Sequence, residues 1–276
     1  MQIAILSGKG GAGKTLLSVN LVNLINKANL IDCDVEEPNG IFYFPVDFKK
    51  TEVNILVPEI NDKKCTHCNK CVDFCRFNAL IDFLGKVKLL PSLCHSCGGC
   101  KLVCEYDAIT ERKEAIGYIY EGNYKNHKIY GGDLNIGKES GIEIINQLIN
   151  KAKDDKVNII DCPPGNGCSV MESIEKADFC ILVSEPTIFG LENLKLVYEL
   201  TCLYNKKVGL IINKANNNNE IIETFARNKK IKIIGKIPFN KELAKSNSSQ
   251  NLISDNPKFK IYFDKIYANL KQEVKI

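Results

Sequence analysis

The sequence predicts an α/β protein, a doubly wound and mainly parallel sheet carrying a small inserted α+β domain. Three observations predict it. Short continuous apolar runs such as QIAIL (2–6) and FCILVSEP (179–186) alternate with helix-length stretches, as expected of parallel strands covered on both faces. A glycine-rich turn, SGKGGAGKT (7–15), separates the first run from the first helical stretch. Eight of the 13 cysteines crowd into residues 65–104, where the α/β pattern lapses.

Taken in order, residues 2–6 and 28–33 read as strands flanking a helix over 16–28, with Leu17, Leu21, Leu24 and Ile25 as its apolar stripe. Strand, loop, helix and strand make a right-handed βαβ unit. Residues 61–108 lack strong periodicity and read as a metal-stapled insert. The expected domains are therefore 1–60 joined with 109–276, and 61–108. Residues 111–139 alternate in stretches and suggest a hairpin. A helix over 141–152, a strand over 157–162 and a helix over 169–177 follow. Further strands are expected at 179–186, 207–214 and 232–238. Asn216–Asn219 suits an exposed loop, and no repeat beyond the cysteine spacing is evident. The tail, 258–276, sets Phe259, Phe263, Ile266, Tyr267, Leu270 and Val274 on one helical face. Packing against the sheet is favoured over membrane attachment.

Composition narrows the function. The 276 residues are 45% hydrophobic and 25% charged, enough for a sizeable core. Net charge is +4 over 37 basic and 33 acidic side chains, with no basic arm, so nucleic acid is not an expected partner. The first apolar run is six residues long and breaks into Ser-Gly-Lys, so neither a signal peptide nor membrane insertion is expected. A cytoplasmic setting follows, and there clustered cysteines read as metal ligands rather than disulfides.

Gly8, Lys9, Gly10, Gly11, Ala12, Gly13, Lys14 and Thr15 fit G-x-x-x-x-G-K-[ST] between a strand and a helix, with Leu16 next. Glycines let backbone N–H groups converge on phosphate oxygens. Lys14 then reaches the β- and γ-phosphates, the Thr15 hydroxyl meets Mg²⁺, and the helix N-terminus adds positive potential. The second lysine makes the run distinctive. KGGxGKT resembles the deviant Walker A motif of the MinD/Mrp/ParA, CobQ-type and nitrogenase iron-protein ATPases. The resemblance implies a P-loop NTPase fold of the SIMIBI type, ATP/ADP with Mg²⁺ as ligands, and an ATP-dependent homodimer. It also implies that Lys9 crosses to the partner's phosphates, a charge in trans worth on the order of 10³–10⁵ in rate. Two further segments fit the same family, Asp32-Cys33-Asp34 and Asp161-Cys162-Pro163-Pro164-Gly165. By that resemblance Asp34 positions the attacking water, Asp32 supports the magnesium region, Asp161 holds Mg²⁺ through water and Gly165 lends an N–H to the γ-phosphate. Asn213 and Pro238 match the family's base-contacting positions.

The cysteines fall in two runs of one spacing, Cys65-x₂-Cys68-x₂-Cys71-x₃-Cys75 and Cys94-x₂-Cys97-x₂-Cys100-x₃-Cys104. This resembles the bacterial two-cluster ferredoxins, in which the fourth cysteine of each run ligates the other cluster. The resemblance implies one 4Fe–4S centre on Cys65, Cys68, Cys71 and Cys104, and another on Cys94, Cys97, Cys100 and Cys75. Two consecutive four-cysteine runs over-supply zinc. The proline that often follows the fourth cysteine is replaced by Arg76 and Glu105. His67 and His95 lie off the ligand register. Residues 61–108 hold seven basic and five acidic side chains, a net +2 before cluster charge, which favours a dedicated docking partner. Cys33, Cys162, Cys168, Cys180 and Cys202 read mostly as core, Cys168 being the one to watch.

The expected activity is ATP hydrolysis in which dimer closure is coupled to electron transfer through the two clusters to a redox acceptor. The alternative is assembly or carriage of a metallocluster for an apoprotein acceptor. Spatial positioning like MinD or ParA ranks below both.

Overall fold

The computed structural model describes residues 1–151 and 156–274. The end of the expected helix over 141–152 and the last two residues of the tail lie outside them. The elements begin with β1 (Gln2–Leu6), α1 (Lys14–Leu24), β2 (Ala28–Asp32), β3 (Lys49–Ile60) and α2 (Lys70–Phe74). Next come β4 (Leu80–Phe83), β5 (Lys86–Leu89), α3 (Gly99–Leu102), β6 (Ile109–Tyr124), β7 (His127–Leu134) and α4 (Ile142–Ile149). The chain continues through β8 (Val157–Asp161), α5 (Cys168–Ile174), β9 (Phe179–Ser184), α6 (Ile188–Leu203) and β10 (Lys207–Ala215). It closes with α7 (Glu220–Lys229), β11 (Lys232–Pro238), α8 (Lys241–Ser248) and α9 (Pro257–Glu273).

The chain divides into two units, Met1–Thr51 with Ile119–Asp133 and Ile144–Ile276, and Glu52–Tyr118 with Leu134–Glu143. The second is wider than the expected insert of 61–108, because β3 and the first part of β6 belong to it. β3 escaped sequence reading because half of its residues are exposed and its first four, Lys49–Glu52, are polar.

In the first unit the strand order is β11-β10-β9-β1-β8-β2-β7. Every adjacent pair from β11 through β7 is parallel. β1 lies at the centre, with β8 and β9 on either side, so this is where strand order reverses and ligands of open α/β sheets bind. Ile3 and Ile5 join Leu17 and Leu21 of α1 and Phe259 and Phe263 of α9 in one core cluster. Ala4 and Leu6, equally buried, fall on the opposite face by strand alternation. α1 is buried almost all round rather than along a stripe, and it stops at Leu24 because Ile25 turns extended. The tail helix is in the core: Phe259, Phe263, Ile266 and Leu270 are each 2% exposed or less. Gly235 of β11 lets Ile266 close in, since a Cβ there would stand 2.3 Å from Ile266 Cγ1. Burial of that face removes the membrane-targeting alternative for α9.

The second unit contains a repeat that sequence reading recognised only as cysteine spacing. Its two halves are offset by 29 residues, Cys65 to Cys94 and Cys75 to Cys104. Backbone geometry follows the same offset, with positive φ at His67 and Ser96 (56° and 53°), Asn69 and Gly98 (58° and 71°), and Asn78 and Asp107 (52° and 48°). α2 and α3 occupy equivalent places. Cys71, Leu80, Val87 and Ile109 form a small core between the halves. Leu80 and Ile109 are again 29 apart.

Candidate functional site

β1 delivers the chain to a loop over residues 7–13, and α1 starts at Lys14. Gly13 has φ 102°, and a Cβ on it would lie 2.1 Å from Asn213 Nδ2. Both facts require glycine there. Asn213 Nδ2 donates to Ala12 O at 2.8 Å, and Lys214 Nζ donates to Gly11 O at 3.2 Å. The end of β10 thus braces the loop from below. Lys14 is buried, its Nζ 3.2 Å from Ser7 Oγ, while Ser7 Oγ donates to Lys9 O at 2.7 Å.

Lys9 does not point freely outward. Its Nζ meets Glu185 Oε2 at 2.9 Å and lies 5.5 Å from the centre of the Phe189 ring. Glu185, just past β9 and 9% exposed, also accepts from Lys214 at 2.6 Å. Burial pushes the Glu185 carboxyl up, but the two lysines outweigh it and hold it below the usual range.

Asp161 ends β8 at 0% exposure, and neither carboxylate oxygen has a hydrogen-bond partner. Burial pushes its carboxyl up, with Thr15, Lys14 and Ser18 close enough to pull it partly back. Neither hydroxyl closes a bond to it; Ser18 Oγ donates to Lys14 O at 2.9 Å instead. Asp32 stands beside Asp161 in strand register. Burial and the Asp161 charge push it well up. Its oxygens accept from Gly40 N at 2.7 Å and Asp34 N at 3.2 Å. Asp32 therefore also builds the loop after β2. Asp34 is half-buried; burial lifts it to about 6 against the pull of Lys14.

Two other expected residues carry bonds within the chain. Gly165, at φ 94°, donates its N–H to Ser7 O at 3.0 Å, so this N–H reaches a phosphate only after that bond opens. Asn213 donates Nδ2 to the loop and is 4% exposed, so it braces the phosphate loop. Pro238 pairs with Ala215 at the β10–β11 edge.

The eight clustered cysteines separate into two cavities. One is lined by Cys75, Cys94, Cys97 and Cys100, the other by Cys65, Cys68, Cys71 and Cys104. Each fourth cysteine has crossed to the other run's cavity. Ala79 N donates to Cys75 Sγ at 3.3 Å and Ala108 N to Cys104 Sγ at 3.4 Å, again 29 residues apart. Among the described residues no three Cys, His, Asp or Glu side chains converge on the point a single ion would need; the thiols ring cavities instead. Of the remaining cysteines, Cys33, Cys162 and Cys180 are buried as expected of core residues, whereas Cys202 is exposed, as is Cys168.

The CobQ/CobB/MinD/ParA nucleotide-binding domain matches residues 3–253 of this sequence. The chain belongs to this family. A Methanocaldococcus jannaschii relative, "Uncharacterized protein MJ0578", is 36% identical over 280 residues, covering 99% of this chain and 97% of the relative. Among solved structures, the septum site-determining protein MinD of Pyrococcus horikoshii, complexed with Mg-ADP, superposes with a TM-score of 0.61 at 19% identity, over 98% of this chain and 96% of that one. The cell division ATPase MinD of Pyrococcus furiosus gives 0.60 at 16% identity, over 99% of both chains. The family fold is thus the mostly parallel P-loop α/β fold that the sequence predicts. Among the described residues no helix is long and apolar enough to cross a membrane.

Within that family site, sequence reasoning missed Ser7, Glu185 and Lys214. Glu185 carried a usable signal, a carboxylate at the end of an apolar strand, which is the signal that picked out Asp161. Ser7 and Lys214 carried none, because their roles arise from where β1 and β10 end in space.

Proposed function

We propose that this chain is an ATP-hydrolysing, Mg²⁺-dependent switch that closes as a homodimer and carries two 4Fe–4S clusters whose electron exchange depends on the nucleotide. One observation carries the iron–sulfur part. The eight cysteines divide between two cavities in crossed sets of four, which is the ligand exchange of two-cluster ferredoxins. Soft thiolates suit iron–sulfur chemistry, and the backbone N–H bonds to Cys75 and Cys104 sulfurs stabilise anionic ligands. When bound, such clusters supply one-electron storage at low potential.

Mg²⁺ fits the nucleotide site on different grounds. Asp161 is a buried carboxylate with both oxygens unsatisfied, an arrangement that costs free energy until a cation or its water shell arrives. Thr15 and Ser18 lie beside it. In the proposed cycle Lys14 and the loop amides bind phosphate, Lys9 leaves Glu185 for the partner's site, and Gly165 leaves Ser7. Asp34 orients or deprotonates the attacking water, and hydrolysis restores the starting contacts.

Anaerobic reconstitution tests the reading. About eight iron and eight sulfide per chain are expected, with EPR signals that change on adding MgATP and a dimer by light scattering. Iron-loaded protein that binds ATP, stays monomeric and keeps identical spectra would end it. Transfer of the clusters to an apoprotein would favour the carrier alternative over electron transfer.

A second reading stays closer to the structural neighbours, which include cell-division and plasmid-partition proteins. Here the same ATP switch positions the chain on a surface. It is supported by the family match as well as by the fold matches. Co-sedimentation with anionic liposomes or DNA, dependent on ATP, would support it.

A further inference from the structure

Ser96 Oγ is buried and has no hydrogen-bond partner, and Ser96 lines the cavity of Cys75, Cys94, Cys97 and Cys100. A hydroxyl taken from water and left unpaired costs about 1–3 kcal/mol. Such a group calls for an acceptor that completes it. The neighbouring wall is largely apolar, with Leu56, Phe74, Phe77, Leu80 and Leu89, and besides the four thiols it holds Arg76, His95 and Glu111, the last already paired with Lys101 at 3.0 Å. The backbone also strains to hold Ser96 there, at φ 53° in the region that favours glycine. In the other half of the repeat the equivalent residue is His67, an exposed side chain whose Nδ1 stands 3.8 Å from Cys65 Sγ. The two cavities therefore differ at this position, for Ser96 lines its cavity while His67 is not among the residues lining the other.

We infer that Ser96 is a positioning residue that sets a reduction potential. Its O–H donates to a sulfur of the cluster held by Cys75, Cys94, Cys97 and Cys100, making that cluster easier to reduce. This rests on the iron–sulfur reading above. A hydrogen bond to sulfur favours the more negative, reduced form. Phe77 and His95 stack over the same cavity, 3.7 Å apart and 15° from parallel. With Leu56, Leu80 and Leu89 they make the wall of this cavity largely apolar, and low local dielectric strengthens a hydrogen bond. Reduction adds one electron from a low-potential one-electron donor to the cluster, and the proton stays on Ser96 Oγ.

The test uses the whole, anaerobically loaded chain. Ser96→Gly removes the hydroxyl and relaxes the strained turn; Ser96→Asn keeps a donor in a residue that tolerates positive φ. EPR-monitored redox titration of the wild type should resolve two midpoints. Ser96→Gly should lower one, leave the other and the iron content unchanged, and Ser96→Asn should restore it. In D₂O, pulsed EPR should find an exchangeable deuteron at one cluster that Ser96→Gly abolishes. Unmoved midpoints, equal shifts of both, or a persisting deuteron in Ser96→Gly would overturn the role of Ser96. A wild type without iron would instead overturn the reading it rests on.

Discussion

Lys9 is held within its own chain by Glu185, 2.9 Å away, while Lys214 grips the other oxygen of the same carboxylate at 2.6 Å. If Lys9 serves a partner's site, it must exchange this carboxylate for phosphate, and Lys214 leaves Glu185 paired when it goes. Lys9→Ala should lower the ATPase rate by on the order of 10³ or more while ATP still binds. Comparing kcat with calorimetric affinity checks this, and an unchanged kcat would place Lys9 outside the reaction.

Asp161 should show opposite effects on stability and ligand binding. Its buried, unpartnered carboxylate is a liability without a cation. Asp161→Asn should raise the Tm of the nucleotide-free protein and weaken Mg-nucleotide binding about a hundredfold, close to 2.7 kcal/mol. Thermal scans with and without MgADP separate the two. A lowered Tm without ligand would contradict the account.

Asp34 supplies a pH signature. Its folded value is raised from 3.8 to about 6. Ionising it in the folded chain therefore costs stability, and the cost grows from pH about 4 to about 6 and is complete above that. Asp34→Asn should flatten that part of the Tm–pH curve. The same protonation should make wild-type hydrolysis fall below pH about 6, and Asp34→Asn should cost about 10²–10⁴ in kcat. A wild-type rate that is level from pH 5 to 7 would remove Asp34 from the chemistry.

Crossed ligation gives a counterintuitive prediction. Cys75→Ala should damage the centre of Cys94, Cys97 and Cys100, not that of its sequence neighbours. Cys104→Ala should do the reverse. Each variant should fall from about eight iron towards about four or seven, with only one EPR component altered. Loss of the same component in both variants would refute the crossing.

The legible parts of this molecule were those whose chemistry demands fixed residue types at fixed offsets. The glycines and Lys14 of the phosphate loop, Asp161 at its strand end and the cysteine runs could be read directly. Buried parallel strands were legible because both faces are covered and the apolar runs are unbroken. Asp32 was ambiguous because a strand-end aspartate serves equally as a ligand or as an acceptor for the next loop. Glu185, Lys214 and Ser96 gain their roles from strands and turns that meet only after folding. β3 was hidden because a half-exposed strand that opens on four polar residues has a weak apolar signature.

The 29-residue offset gives the cysteine-rich unit an internal control. Thr66 answers to His95, Lys70 to Gly99 and Arg76 to Glu105. Swapping the members of one such couple leaves composition and net charge untouched while exchanging the surroundings of two matched centres. Any change such a swap produces reports on place alone.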